Sequence, residues 1–175
     1  MAKWTIDPTH SEVLFKVKHL VISNVTGSFN VFEGAAETGA DDFSDAKITF
    51  SANVDSIDTN QAQRDAHLKS ADFFDVANFP KLEFTSTSFS KKGDREYILK
   101  GDLTLHGVTK PVELAVEYGG TAKDPYGQTK AGFEVTGKLN RSEYGLTWNA
   151  ATEAGGVVVS DEVKLLATVQ VIKQA

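Results

Sequence analysis

The chain of 175 residues contains no cysteine, so a disulfide framework, a thiolate metal site and a thiol nucleophile are all excluded, and stability must come from packing and backbone pairing. No apolar run approaches the ~20 residues a membrane-crossing helix needs, and Met1 to His10 lacks the apolar core of a signal peptide. As it stands the sequence predicts a cytoplasmic protein, and a periplasmic one if an export signal has been removed. Basic clusters are equally scarce: the net charge is −6, and the short run Lys91-Lys92 is too small to neutralise a phosphate backbone, which excludes nucleic acid as an electrostatic partner. Internal repeats, low-complexity tracts and breaks in composition are absent, so residues 1–175 are read as a single domain. The Ala/Gly/Val-rich stretch from Ala150 to Val159 reads as a flexible loop.

What the sequence does have is period-two alternation, the sign of strands with one buried and one wet face. Val13, Phe15, Val17 and His19 alternate with Glu12, Lys16 and Lys18, with Leu14 as the exception, and Ile48, Phe50, Ala52 and Val54 alternate with polar neighbours. Further strands fit at about 27–33, 81–90, 96–106, 111–118, 130–139 and 162–172, the last with Val163, Leu165, Ala167, Val169 and Val171 inward. Between Gly101 and Val112 the chain reads GDLTLHGVTKPV, two strands joined by a tight hairpin, and Lys92-Gly93-Asp94 and Asp124-Pro125-Tyr126-Gly127 are further turns. Eight such strands are expected to close into an antiparallel barrel, because closure removes exposed edges; a barrel of this size is either just filled or holds one small ligand. One short helix is expected over about Gln61 to Ala71, capped by Asn60, supported by an Asp65–Lys69 pair, and pinned near a barrel mouth by Leu68, Phe73 and Phe74.

Chemistry-bearing motifs are few. Asp7, His10 and Ser11 hold the residue types of a hydrolase triad, but adjacent strand residues point to opposite faces, so a turn at Asp7-Pro8-Thr9 with a hydrogen-bonding His10 is the better reading. The histidines at 10, 19, 67 and 106 lack the spacing that places two ligands on one face, and no metal site is assigned. Asp72 and Asp75 flank Phe73-Phe74 as a solvated helix exit or, less simply, an acid/base pair. No catalytic residue is assigned. Eleven phenylalanines stand against one methionine, and Phe15, Phe29, Phe50, Phe84 and Phe133 lie in phase with the apolar face of their strands; rigid rings can fill an interior or frame one.

Read in order, Asp7-Pro8-Thr9-His10-Ser11, Val17-Lys18-His19-Leu20, Gly27-Ser28-Phe29, Arg64 to Leu68, Asp72 to Asp75, Gly101 to Val112 and Arg141 to Gly145 resemble the bacterial YceI-like family, over nearly the whole chain from Trp4 to Ile172. The resemblance implies a lipocalin-like antiparallel barrel with an apolar tunnel for a polyisoprenoid, an isoprenoid quinone or a fatty-acid-like amphiphile, carried for transport, storage or sequestration. On that basis Phe15, Val17, Phe29, Phe50, Phe84, Leu103, Leu105 and Phe133 are expected on the wall, Leu68, Phe73 and Phe74 at the mouth, and His19, Leu146 and Trp148 nearby. Arg64, His67 and Arg141 are the matched residues able to donate to a head group. The lipid is expected as ligand, not cofactor, and no cofactor is assigned. The alternatives are a barrel enzyme acting on an apolar substrate through His67, Asp72 or His106, and a structural module with a filled core. Transient membrane contact and a homodimer stay open as partners.

Overall fold

The computed structural model describes residues 1–20, 22–149 and 159–174. Its strands are β1 (Ala2–Ile6), β2 (Glu12–His19), β3 (Ser23–Phe29), β4 (Phe32–Thr38), β5 (Lys47–Asn53), β6 (Ile57–Asp58), β7 (Lys81–Lys91), β8 (Glu96–Leu105), β9 (Val108–Lys123), β10 (Thr129–Asn140) and β11 (Val159–Lys173). One helix, α1 (Ala62–Lys69), lies between β6 and β7. The order β1-β4-β5-β7-β8-β9-β10-β11 closes on itself through β11 and β1, giving an eight-stranded antiparallel barrel, as the alternation predicted. The expected loop at Ala150 to Val159 falls outside the described residues except for Val159, which begins β11.

The membership of the ring differs from the sequence reading. β11 is long enough to serve two partners along one edge: Val171 pairs with Ile6 of β1, and Ala167 pairs with Val13 of β2. Neither β1 nor the two-residue β6 was foreseen. The strand expected at 27–33 is two strands, β3 ending at Phe29 and β4 starting at Phe32, because the backbone turns at Asn30 and Val31, whose amides both donate to Ser56 Oγ at 3.0 Å. β2, β3 and β6 extend the barrel wall beyond the ring.

The break between β1 and β2 is a single short 3₁₀ turn over Pro8–His10. Asp7 N donates to Gln170 O at 2.8 Å, and Ser11 Oγ accepts from Gln170 N at 3.0 Å, so the β11 residue opposite the break keeps its backbone satisfied. The Asp7 carboxylate accepts from Thr9 N, Thr9 Oγ1 (2.7 Å), His10 Nδ1 (2.8 Å) and Lys130 Nζ (3.2 Å), with its side chain 10% exposed. The residue types of a triad are thus used to fasten a turn. These donors, the Thr9 hydroxyl foremost and then His10, hold the Asp7 carboxyl far below the usual carboxylate range, against the opposing effect of burial.

Helix α1 is shorter than expected and differently capped. Gln61, not Asn60, is the N-cap, its side chain accepting from Arg64 N at 2.6 Å, while Asn60 adopts φ 63°. The expected Asp65–Lys69 pair does not form. Asp65 instead accepts from Thr59 N at 2.9 Å and from the Thr59 hydroxyl, and Lys69 lies 3.7 Å from Asp55. A polar helix of eight residues has too little propensity to stand alone, and these anchors to β6 and its flank replace the missing intrahelical support.

Two predictions follow from these contacts. A Cβ added at Gly101 would fall 2.5 Å from Thr85 O and 2.4 Å from the Phe84 ring, which lies across the glycine; Gly101→Ala is expected to cost about 1–3 kcal/mol in denaturant unfolding, and an unchanged midpoint would refute that packing. Because the folded Asp7 pKa is depressed, its contribution to stability is present above the unfolded value near ~3.9 and is lost as pH falls below it. The stability gap between wild type and Asp7→Asn, measured by urea unfolding, should therefore be largest near neutral pH and shrink towards pH 3.

Candidate functional site: an apolar cavity

The barrel is not filled. It encloses about 590 Å³, within the roughly 300–1,000 Å³ typical of small-molecule sites. Phe15, Phe50, Val17 and Phe133 face inward by the alternation of their strands and yet are only half-buried, because their free surface is the cavity itself. Phe29, Phe84, Leu103 and Leu105 complete the stretch of wall anticipated from phase. The sequence reading did not assign Ile6, Ala36, Leu82, Leu99, Leu114 or Val135 to the wall, although each also lines it. Their signal was the same inward phase, carried by aliphatic side chains instead of rings.

The floor was not legible. Phe43 comes from the connection between β4 and β5, is 3% exposed, and inserts its ring among Trp4 (5.0 Å between centroids), Phe133 (5.2 Å) and Tyr118 (5.9 Å). Its φ of 63° is the backbone cost of aiming a loop side chain inward. The loop is held by Asp45, which accepts from the Thr38 hydroxyl and from Gly39 N at 3.0 Å, and by the buried Tyr97 hydroxyl, which donates to Asp42 O. Burial pushes the Tyr97 pKa up, reinforced by the Asp42 carboxylate.

The opposite end is the mouth. Leu68, Phe73 and Phe74 all line the cavity there, with Phe74 edge-on to Phe29 at 6.2 Å. His67 packs edge-on against Trp148 (4.8 Å) and Phe73 (5.2 Å), and its Nε2 lies 3.2 Å from Asp72. His19, Leu146 and Arg64 also reach the cavity. Arg64 commits Nε to Thr59 Oγ1 at 2.8 Å and Nη2 to Thr59 O at 2.6 Å.

Arg141 corrects an expectation. It borders the cavity but is 4% exposed, and its guanidinium donates to the carbonyls of Leu146 (2.7 Å), Trp148 (2.9 Å), Ser160 (2.9 Å) and Val159 (3.2 Å). Four of its five N–H groups are spent on the main chain, so it positions Trp148 at the mouth and is not a free donor for a head group. Burial pulls its pKa down, and Asp161 at 3.9 Å acts in the opposite direction. His106 is likewise structural: at the β8–β9 hairpin tip it donates from Nδ1 to Tyr144 O at 3.0 Å and stacks edge-on with Phe79 at 4.8 Å, bracing the 3₁₀ turn that carries Arg141. It does not line the cavity, so the barrel-enzyme alternative loses one of its candidate groups. Among the described residues no cluster of three or more His, Asp or Glu is placed to hold a metal ion.

A closed antiparallel barrel around an apolar cavity, with an aromatic floor and a helix at the mouth, defines a small lipocalin-like class of architecture. Within that class the sequence is specific: the YceI-like domain model matches residues 4–171, and the chain belongs to the YceI-like family. It is similar to Protein YceI of Salmonella newport, with 41% identity over 175 residues that cover 99% of this chain and 88% of the relative. The crystal structure of a Campylobacter jejuni YceI protein has 31% identity and a TM-score of 0.76, covering 91% of each chain. A domain from Saccharophagus degradans described as polyisoprenoid-binding shares the fold at a TM-score of 0.70 and 16% identity, over 98% of each chain.

Replacing Arg141 tests its structural role. Arg141→Lys leaves several buried carbonyls without donors and is expected to destabilise the protein by about 1–3 kcal/mol and to red-shift Trp148 fluorescence, recorded in a Trp4→Phe background. Unchanged stability and emission would return Arg141 to the pool of head-group donors.

Proposed function

We propose that the protein binds one long apolar amphiphile, a polyisoprenoid or a lipid of similar shape, inside the barrel, and that it acts as a carrier or store without catalysing a reaction on its ligand. The observation that carries this reading is the unfilled cavity running from the Phe43 floor to the Trp148 mouth between apolar walls. An interior of that kind has a physical preference: each buried methylene contributes about 0.8 kcal/mol, so about five to twenty of them are needed to outweigh an association cost of roughly 4–15 kcal/mol. A long, unbranched or prenyl chain supplies them, and the fold shared with the polyisoprenoid-binding domain of Saccharophagus degradans supports that class.

The polar groups constrain the head. With Arg141 committed to main-chain carbonyls, Arg64 is the one rim guanidinium with N–H groups beyond its two bonds to Thr59, and His67 and Gln63, which also line the cavity, suit a neutral, hydrogen-bonding head such as a quinone, alcohol or amide. An ionised head would remain outside in water.

The test is mass spectrometry of the organic extract of purified protein, followed by reloading of delipidated protein with prenyl alcohols and quinones. A stoichiometric prenyl species is expected, with uptake lost in Phe50→Asp and in the cavity-filling but apolar Leu114→Trp. An empty protein that refuses every added lipid would overturn the proposal. Turnover of a prenyl substrate that depends on His67 and Asp72 would replace it with the enzymatic alternative.

A further inference from the structure

The turn between β2 and β3 sits beside the cavity mouth. His19, the last residue of β2, lines the cavity and pairs with Val159 of β11, whose carbonyl accepts from Arg141 Nη2 at 3.2 Å and from Asn149 Nδ2 at 2.6 Å. Arg141 in turn holds Trp148, whose ring packs on His67. In that turn two large apolar side chains are left to solvent: Leu20 is 41% and Ile22 86% exposed. Leu20 also carries a φ of 56°, where a leucine is strained and Asn or Gly would cost less. Phe43 is held at a similar φ and gains a buried place in the floor, whereas Leu20 stays exposed, so the fold itself does not account for a leucine at this position. The charge around the turn has one sign. From Val13 to Phe32 the sequence holds Lys16, Lys18 and His19 and no Asp or Glu, within a chain of net charge −6. Lys16 and Lys18 are exposed, and among the described residues neither forms an ion pair. Two carboxylates stand in the irregular stretch of β11 between the Val159–His19 and Val163–Val17 pairs, and both are drawn elsewhere: Asp161 accepts from Ser142 Oγ at 2.7 Å, and Glu162 lies 3.8 Å from Lys138.

We propose that this turn docks the protein on an anionic phospholipid surface, with Leu20 and Ile22 entering the apolar boundary of the bilayer and Lys18 and Lys16 lying against the headgroups. An exposed apolar tip flanked by lysines and free of carboxylates matches the layering of such a surface, hydrocarbon beneath negative charge. The overall charge of −6 opposes adsorption elsewhere on the molecule, so the one-signed hairpin also sets which side approaches. Two apolar side chains and two lysines make a weak, reversible attachment, since even a single buried acyl chain gives only marginal binding. Reversibility is what a carrier requires. Docking by this tip brings the neighbouring mouth to the membrane, where an apolar chain can pass between bilayer and cavity without exposing its methylenes to water. That use of the surface rests on the lipid-carrier reading; the docking itself does not.

The experiment is flotation with vesicles of phosphatidylcholine mixed with phosphatidylglycerol, and of phosphatidylcholine alone, at low and high salt. Wild-type protein is expected to float with the mixed vesicles and to be released as salt rises or the anionic lipid is left out. Ile22→Asn should weaken binding by about tenfold or more, and Lys18→Gln by about fivefold on the anionic vesicles only. Leu20→Asn should also weaken binding while its unfolding temperature holds or rises, because Asn tolerates the positive φ; that pairing separates lost docking from lost folding. The same variants should still take up geraniol, a short prenyl alcohol, from water, since the cavity wall is untouched. Wild type that stays unbound at every lipid composition overturns the proposal and leaves the tip to a protein partner, and variants that float as wild type does overturn it equally. Flotation that depends on these residues in a protein that takes up no prenyl alcohol would uphold the docking and sink the carrier reading instead.

Discussion

The whole architecture hangs on one edge of β11. A closed ring needs every strand paired on both sides, and here the last strand supplies the closing hydrogen bonds to β1 near its end and to β2 near its start. The chain accomplishes this by breaking at Asp7–Ser11 without leaving β11 unpaired, since Gln170 is held from both sides of the break. The motif Asp7-Pro8-Thr9-His10-Ser11 is therefore a closure device. Its buried carboxylate gathers a backbone amide, a hydroxyl, an imidazole and the Lys130 ammonium, and that concentration of donors at one joint is what lets two short strands act as one long one.

Closure in turn permits an interior that is framed and not filled. With the backbone hydrogen bonds complete around the wall, the inward side chains need not meet in the middle, and rigid rings such as Phe15 and Phe50 hold their places against the sheet and against one neighbouring ring each, Phe29 and Phe32. Small residues make room for them. Gly27 and Gly101 lie beneath the Phe15 and Phe84 rings, where any Cβ would collide. The two ends are then closed by different means, a loop phenylalanine at one and a helix with an arginine-held tryptophan at the other.

The wall was legible in the sequence because period two converts directly into facing, and Phe29, Phe84 and Phe133 needed no more than their phase. The ends were not. Phe43 sits in a loop whose residues have no period, and its inward aim depends on a positive φ and on Asp45, neither of which alternation can reveal. Arg141 was recognisable as part of a motif, but a sequence does not say whether an arginine's donors meet a ligand or four carbonyls of its own chain. β1 was missed because five residues at a terminus, with Trp4 and Ile6 as their inward positions, resemble any short apolar segment until a partner strand is known.

If the protein is a lipid carrier as proposed, an elongated apolar space, and not a surface patch, sets ligand affinity. Titrating delipidated protein with a series of straight-chain or prenyl alcohols of increasing length tests it most directly. If the tail lies inside, affinity should rise about fourfold per added methylene, the equivalent of ~0.8 kcal/mol each, and level off once the chain reaches the Phe43 floor. Affinity independent of chain length, or a rise that never levels off, would contradict a ligand held in the cavity.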